Sequence, residues 1–147
     1  MKDAESGPDE EAIGLILVTH GAVGEALMAA LEHIVGPQDN ALSVAILPDD
    51  DIEERRVEII DAIGRVRSSK GCIVMTDMFG GTPSNLAISA MGEDGVEVIA
   101  GVNLPMLIKF ASVRSSVALD EAVVQVQDAG RKYINVASSF LNPPGGD

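Results

Sequence analysis

Four short apolar runs, separated by segments with helical spacing, constrain the fold of this chain most strongly. The runs are rich in Val, Ile and Leu and lie at about residues 13–18, 41–47, 71–76 and 96–100. Runs of this length and branching are typical of strands that are buried on both faces. The intervening segments are long enough for crossover helices. We therefore predict an α/β fold with three layers, in which helices cover both faces of a doubly wound, mainly parallel four-stranded sheet.

The expected strand order is 2-1-3-4, and the 147 residues predict a single domain. Residues 1–11 are polar and acidic and predict a disordered leader, residues 12–138 form the domain, and residues 139–147 predict a flexible tail. A fifth edge strand near the C-terminus stays open. The glycine-rich turn at residues 78–84 precedes a helix expected from about Ser84. In the second helix we expect a buried stripe made mostly of Ile52, Val57, Ile59, Ile60, Ile63 and Val66.

The formal net charge of −13 argues against nucleic acid and anionic membranes as partners, because phosphate binding needs clustered Lys and Arg. No apolar run reaches the roughly 18 residues that span a bilayer. The single cysteine, Cys72, lies in an apolar run and excludes an internal disulfide. These features predict a cytoplasmic protein.

His20 and Asp77 stand at the ends of the first and third strands, which are neighbours in the expected order. Neighbouring strands lie about 4.8 Å apart, so an imidazole and a carboxylate can meet there. A carboxylate that accepts a hydrogen bond from one ring nitrogen fixes the tautomer and leaves the other nitrogen free to attack. We interpret His20 as a catalytic nucleophile and Asp77 as its partner. The plainer alternatives are a structural histidine and an aspartate that caps a turn.

Glycines and a helix start follow both residues, and this pattern indicates an anion site. Helix amino ends offer unpaired N–H groups, and glycines let the backbone approach a phosphate closely. We assign phosphate binding to Gly21, Gly80, Gly81 and Thr82. The glycines match neither a P-loop nor a dinucleotide fingerprint, and no cluster has metal-ligand spacing, so we expect no cofactor and no metal.

Three motifs of this sequence resemble one known family. They are Thr19-His20-Gly21, then Thr76-Asp77-Met78-Phe79-Gly80-Gly81-Thr82-Pro83-Ser84-Asn85, and finally Val98-Ile99-Ala100-Gly101-Val102-Asn103-Leu104-Pro105-Met106-Leu107. Together they look like the IIA component of the mannose family in the bacterial phosphoenolpyruvate-dependent sugar phosphotransferase system. The motifs fall in the right order and spacing, and the resemblance covers about residues 13–137.

The resemblance implies a phosphotransferase that works through a phosphohistidine at His20, on the nitrogen that Asp77 does not hold. It implies a homodimer that takes the phosphoryl group from HPr and passes it to a IIB component. Such a protein is peripheral to a membrane permease at most. We expect that acceptor on another chain, because there is no room here for a fused IIB domain. Phe79, Asn103 and Pro105 match the rim of the site, where partners bind. Met78 departs from members that carry a hydroxyl at this position.

Two other functions stay open from the sequence. One is a regulatory module whose phosphorylation state is read by a target protein without sugar transport. The other is the related phosphoryl-transfer subunit of dihydroxyacetone kinase, although the Phe79–Pro83 stretch favours the mannose type. A receiver domain phosphorylated on aspartate is disfavoured, because such a domain needs an acidic pair where Thr19 and His20 stand.

Overall fold

The computed structural model describes residues 12–92 and 94–142. Its centre is a sheet of four parallel strands in the order β2-β1-β3-β4. The predicted fold class and strand order are therefore confirmed. The strands are β1 (Gly14–His20), β2 (Ala41–Ile46), β3 (Cys72–Thr76) and β4 (Val96–Ala100).

Helices cover both faces of this sheet and complete the three layers. They are α1 (Val23–Val35), α2 (Ile52–Val66), α3 (Thr82–Ser89), α4 (Leu104–Val113), α5 (Leu119–Lys132) and α6 (Ala137–Leu141). Helices α2 and α3 share one hydrophobic core with the sheet, and α1, α4 and α5 share the other. Within residues 94–142 no strand follows β4, so the fifth strand that the sequence left open does not form there.

Strand β1 lies at the middle of both cores. Ile16 and Val18 point into one core, Leu15 and Leu17 point into the other, and all four side chains are fully buried. This explains the unbroken apolar run in the sequence, because a central parallel strand has no solvent face. The carboxyl end of β1 is therefore held in a fixed place by packing on either side.

The structure differs from two local expectations, the start of α3 and the buried stripe of α2. Helix α3 begins at Thr82 instead of near Ser84, because Pro83 fits the first helical turn, where its missing N–H is not needed. In α2 the buried residues include Ile59, Ile63 and Val66. Expected members of this stripe that are exposed instead are Ile52, Val57 and Ile60.

The predicted leader at residues 1–11 and the last five residues of the predicted tail, 143–147, lie outside the described residues. The predicted domain boundary at residue 138 falls within α6. Across residues 12–92 and 94–142, no helix has both the length and the apolar character that crossing a membrane requires.

Arg114 fixes the amino-terminal side of the sheet. Its buried guanidinium group follows α4 and donates hydrogen bonds to Ile13 O at 3.0 Å, Gln38 Oε1 at 3.0 Å and Asn40 O at 3.2 Å. It also lies 4.9 Å from the centre of the Phe110 ring. One side chain thus joins the start of β1 to the loop between α1 and β2.

Replacing Arg114 by alanine removes this donor from the buried Ile13 carbonyl and from the partly buried Asn40 carbonyl, which keeps its hydrogen bond from the Leu15 N–H. We expect Arg114→Ala to lower the free energy of unfolding by about 2–3 kcal/mol, since hydrogen bonds from charged groups are strong and their loss strands buried partners. The exposed Arg131 at the end of α5 is the matched control, and its alanine variant should stay within about 0.5 kcal/mol of the wild type. Urea denaturation measures both, and equal shifts would contradict the assigned role of Arg114.

Candidate active site at the carboxyl edge of the sheet

His20 and Asp77 meet at the carboxyl edge of the sheet, as the strand order predicts. His20 is the last residue of β1, and Asp77 directly follows β3. The Asp77 Oδ2 atom lies 2.9 Å from His20 Nδ1 and also accepts the His20 backbone N–H at 2.9 Å. One carboxylate oxygen therefore fixes both the main chain and the ring of the histidine.

The Asp77 carboxyl is ionised at neutral pH in this setting. Burial by itself raises the pKa of Asp77, but the hydrogen bonds from the backbone and ring of His20 and the charge of that ring outweigh it, so the pKa lies below its ordinary value. An ionised carboxylate accepts hydrogen bonds only, so Nδ1 carries a proton, and in the neutral ring Nε2 keeps its lone pair. The His20 side chain is 50% exposed against 17% for Asp77, so the free nitrogen belongs to the more accessible partner.

Gly81 lies against the edge of the ring that carries Nε2. A Cβ atom at residue 81 would stand 3.0 Å from His20 Cε1 and 3.2 Å from Nε2. Such a contact is tighter than ordinary packing, and a methyl group there would fill the space beside the free nitrogen. The absence of a side chain at residue 81 thus keeps Nε2 open.

Two predicted phosphate ligands have backbone N–H groups that are already used. The Gly21 N–H donates to Ile46 O at 2.9 Å, and the Gly80 N–H donates to Ser84 Oγ at 3.0 Å. Both glycines have positive φ angles, 49° and 88°, which side chains disfavour. Turn geometry therefore explains why glycine stands at these two positions, and their assignment to phosphate binding stays a prediction.

Gly81 and Thr82 remain as candidates for anion binding. Within the described part of the chain, no acceptor is bonded to either backbone N–H or to the Thr82 hydroxyl. Thr82 is exposed and is the first residue of α3. Helix amino ends attract anions through their unpaired N–H groups and the helix dipole. Within the predicted anion site, the donors that have no acceptor are therefore those at the start of α3, next to His20.

Comparison with known proteins identifies the family. Residues 14–127 match the EIIA-man family model, described as the PTS system fructose IIA component. The chain belongs to the mannose family of phosphotransferase-system IIA components. It is 28% identical over 130 residues to the fructose-specific EIIA component of Bacillus subtilis strain 168, covering 88% of this chain and 89% of that protein.

Another relative of this IIA chain is the mannose-specific EIIAB component of Escherichia coli strain K12. The identity is 30% over 124 residues, which cover 83% of this chain but 38% of the E. coli protein. A solved structure of the mannose/sorbose specific IIA subunit from Enterococcus faecalis has a TM-score of 0.75 and 29% identity, covering 85% of this chain and 94% of that one. The EIIA structure from Streptococcus agalactiae has a TM-score of 0.79 and 25% sequence identity, covering 86% of this chain and 98% of that one.

The predicted rim residues of this IIA chain differ in what they expose. Phe79 lies in the loop after β3 and is 69% exposed. Asn103 instead uses its side chain inside the fold, where Oδ1 accepts the Met106 N–H and Nδ2 donates to Gly130 O, both at 3.0 Å. Pro105 is partly buried in the first turn of α4. Asn103 thus caps α4, and the Phe79 side chain is exposed to solvent, while their assignment to a partner-binding rim stays a prediction.

The structural roles of two hydroxyl groups at this site were not predicted from the sequence. Thr19 is buried, and its Oγ1 accepts the Gly24 N–H at 2.7 Å, which fixes the first turn of α1 behind His20. Ser84 is also buried and bonds to the loop that faces His20. The sequence signal that could have indicated them is a small hydroxyl residue within a few positions of a helix start, since such side chains commonly bond to nearby backbone.

In the described ranges, no group of three or more His, Cys, Asp or Glu residues is placed to hold a metal ion.

Asp77→Asn tests how the histidine tautomer is fixed. Replacing the charged acceptor by a neutral amide should weaken the preference for a proton on Nδ1 by about 1 kcal/mol, because charge-assisted hydrogen bonds are the stronger ones. Nitrogen-15 NMR of the His20 ring should show more protonation of Nε2 in the variant at neutral pH.

The exposed Asp61 on α2 provides the control Asp61→Asn, which should leave the ring spectrum unchanged. In the wild type, the lowered pKa of Asp77 means that the interaction persists through neutral pH and is lost as the pH falls through that lowered value. A ring spectrum of Asp77→Asn identical to the wild type would contradict the role of the carboxylate.

Proposed function

We propose that this chain is a phosphocarrier that accepts a phosphoryl group from phospho-HPr on His20 Nε2 and passes it to a IIB component. The observation that carries the proposal is the 2.9 Å contact between His20 Nδ1 and Asp77 Oδ2, which in the neutral ring leaves the lone pair on Nε2 of a half-exposed side chain. Family membership supports the phosphotransferase-system setting. The roles of His20 and Asp77 as catalytic residues are part of the proposal.

The transfer is an in-line displacement at phosphorus. The lone pair of Nε2 forms a bond to phosphorus while the bond to the donor atom breaks, and that electron pair leaves with the donor. The proton on Nδ1 stays in place, so the ring becomes positively charged, and the Asp77 carboxylate stabilises that charge. In the second step the acceptor attacks phosphorus and the Nε2 lone pair is restored. Catalysis therefore depends on positioning and electrostatics.

The start of α3 is suited to hold the phosphoryl oxygens. Gly81 and Thr82 would donate their backbone N–H groups, and the Thr82 hydroxyl would add a third donor. These donors are fixed before the reaction, so they stabilise the charge on the group in transfer without reorganisation. We accordingly propose Gly81 and Thr82 as the phosphate-binding residues.

Exposed apolar side chains near His20 support a protein as the donor and the acceptor. Met78 and Phe79 are 55% and 69% exposed in the loop after β3, and Val23 and Leu47 are exposed in the segments that follow β1 and β2. Clustered exposed apolar residues mark surfaces that associate with other proteins. The net charge of −13 would steer a partner with a basic face.

The C-terminal part of the described chain supports the proposal of a homodimer. Ile134, Val136, Phe140 and Leu141 are all exposed on this single copy. Apolar side chains at this density are covered in stable assemblies, and a second copy of the chain is the proposed cover. We propose that the dimer works in the cytoplasm, where it would meet HPr and the IIB component.

His20→Ala should abolish phosphorylation because it removes the acceptor nitrogen. The test incubates the chain with phosphoenolpyruvate, the general phosphotransferase enzyme and HPr, and then measures intact mass. The wild type should gain one acid-labile phosphoryl group. His33→Ala is the matched control, because His33 is exposed in the last turn of α1, and this variant should be labelled like the wild type.

Labelling of His20→Ala at the wild-type rate would show that His20 is not the acceptor. A second stage adds a IIB component to the phosphorylated chain. Loss of the label to that component supports the carrier role. Retention of the label would instead favour a regulatory target as the acceptor.

A further inference from the structure

Ser84 joins the two ends of the peptide turn that faces His20. Its side chain is fully buried at the third position of α3. The hydroxyl oxygen accepts the Gly80 N–H at 3.0 Å, and the hydroxyl proton is donated to Gly81 O at 3.1 Å. Gly81 itself precedes α3 and supplies no side chain to cap the helix. Ser84 therefore closes this turn from inside the helix.

The turn that Ser84 closes is the one beside the free ring nitrogen. Gly81 stands so close to His20 that a Cβ atom would lie 3.2 Å from Nε2. Gly81 O also accepts the first backbone hydrogen bond of α3, from Asn85 N at 3.1 Å. A displacement of this peptide would move the N–H groups of Gly81 and Thr82 relative to Nε2 and would let the turn close over the nitrogen.

We propose that Ser84 is a positioning residue for phosphoryl transfer, whose hydroxyl holds the Gly80–Gly81 turn at the place where His20 Nε2 and the α3 donors can share one phosphoryl group. The inference rests on the proposed function. Ser84 does not touch the phosphoryl group, and it acts through Gly80 and Gly81. Removing its hydroxyl frees the Gly80 N–H and removes one of the two hydrogen bonds that Gly81 O accepts. Small misplacements of the turn that follow from this loss cost rate in reactions that depend on orientation.

Ser84→Ala should slow the transfer from phospho-HPr by about ten- to a hundred-fold at saturating donor. The donor concentration that gives the half-maximal rate should change less than three-fold, because the exposed docking residues are untouched. Ser89→Ala is the matched control. Ser89 is the last residue of the same helix, at the opposite end from Gly81, and its hydroxyl donates to Leu86 O. The rate of this variant should equal that of the wild type.

A second pair of variants keeps the test independent of the buried serine. Gly80→Ala adds a methyl group in open space but disfavours the φ angle of 88°, so it disturbs the turn alone. Gly92→Ala places a methyl group in equally open space at the other end of α3. Gly80→Ala should slow the transfer at saturating donor, and Gly92→Ala should not. This pair decides the result if Ser84→Ala does not fold.

The outcomes separate this inference from the proposed function. Amide hydrogen exchange at Gly80 should accelerate in Ser84→Ala, which reports the lost hydrogen bond directly. If the wild type is phosphorylated on His20 but Ser84→Ala and Gly80→Ala transfer within two-fold of their controls, the positioning role is refuted and the carrier function stands. If the wild type accepts no phosphoryl group from HPr, the proposed function itself fails.

Discussion

The site depends on one carboxylate oxygen that accepts two hydrogen bonds from the same residue. Asp77 Oδ2 binds both the backbone N–H and the ring Nδ1 of His20. The first bond sets where β1 ends, and the second sets how the ring is oriented and which nitrogen carries the proton. Because both bonds stabilise the ionised form, they hold the pKa of Asp77 below its ordinary value in spite of burial. One carboxylate oxygen thus fixes both the position of His20 and the site of its ring proton.

The rest of the fold brings that contact about. Strand β1 is buried between two cores, so its carboxyl end cannot shift without disturbing packing on either face. Strand β3 pairs with β1 in parallel up to Val18 and Thr76, and this register brings Asp77 within hydrogen-bond reach of His20. The loop after β4 is tied to the same point, because Gly101 N and Val102 N both donate to Thr76 O at 2.9 Å. Three strand ends are therefore held together around the histidine.

The sequence predicted the parts of the site that follow from strand order. Four buried runs separated by helices leave few arrangements, and the neighbouring ends of the first and third strands place His20 beside Asp77 without any knowledge of side-chain packing. The buried position of Cys72 followed in the same way from its apolar run, and burial raises the pKa of its thiol to about 11, so it carries almost no thiolate at neutral pH.

The sequence could not predict which backbone groups were already bonded. The Gly21 N–H donates to a carbonyl of β2, and the Gly80 N–H donates to a hydroxyl four residues ahead, so both groups already have an acceptor in this structure. Those choices depend on local geometry that spacing does not encode. Apolar spacing also predicted that Ile52 would be buried, although it is exposed. Periodicity alone does not distinguish a core face from a surface.

The most direct test of the account is the position of the phosphoryl group on the ring. Nitrogen-15 and phosphorus-31 NMR of the phosphorylated, isotope-labelled chain can assign the nitrogen that is bonded to phosphorus. The account predicts that phosphorus is coupled to His20 Nε2 and that Nδ1 carries a proton that is hydrogen-bonded to Asp77. A phosphoryl group on Nδ1, or on any residue other than His20, would contradict it.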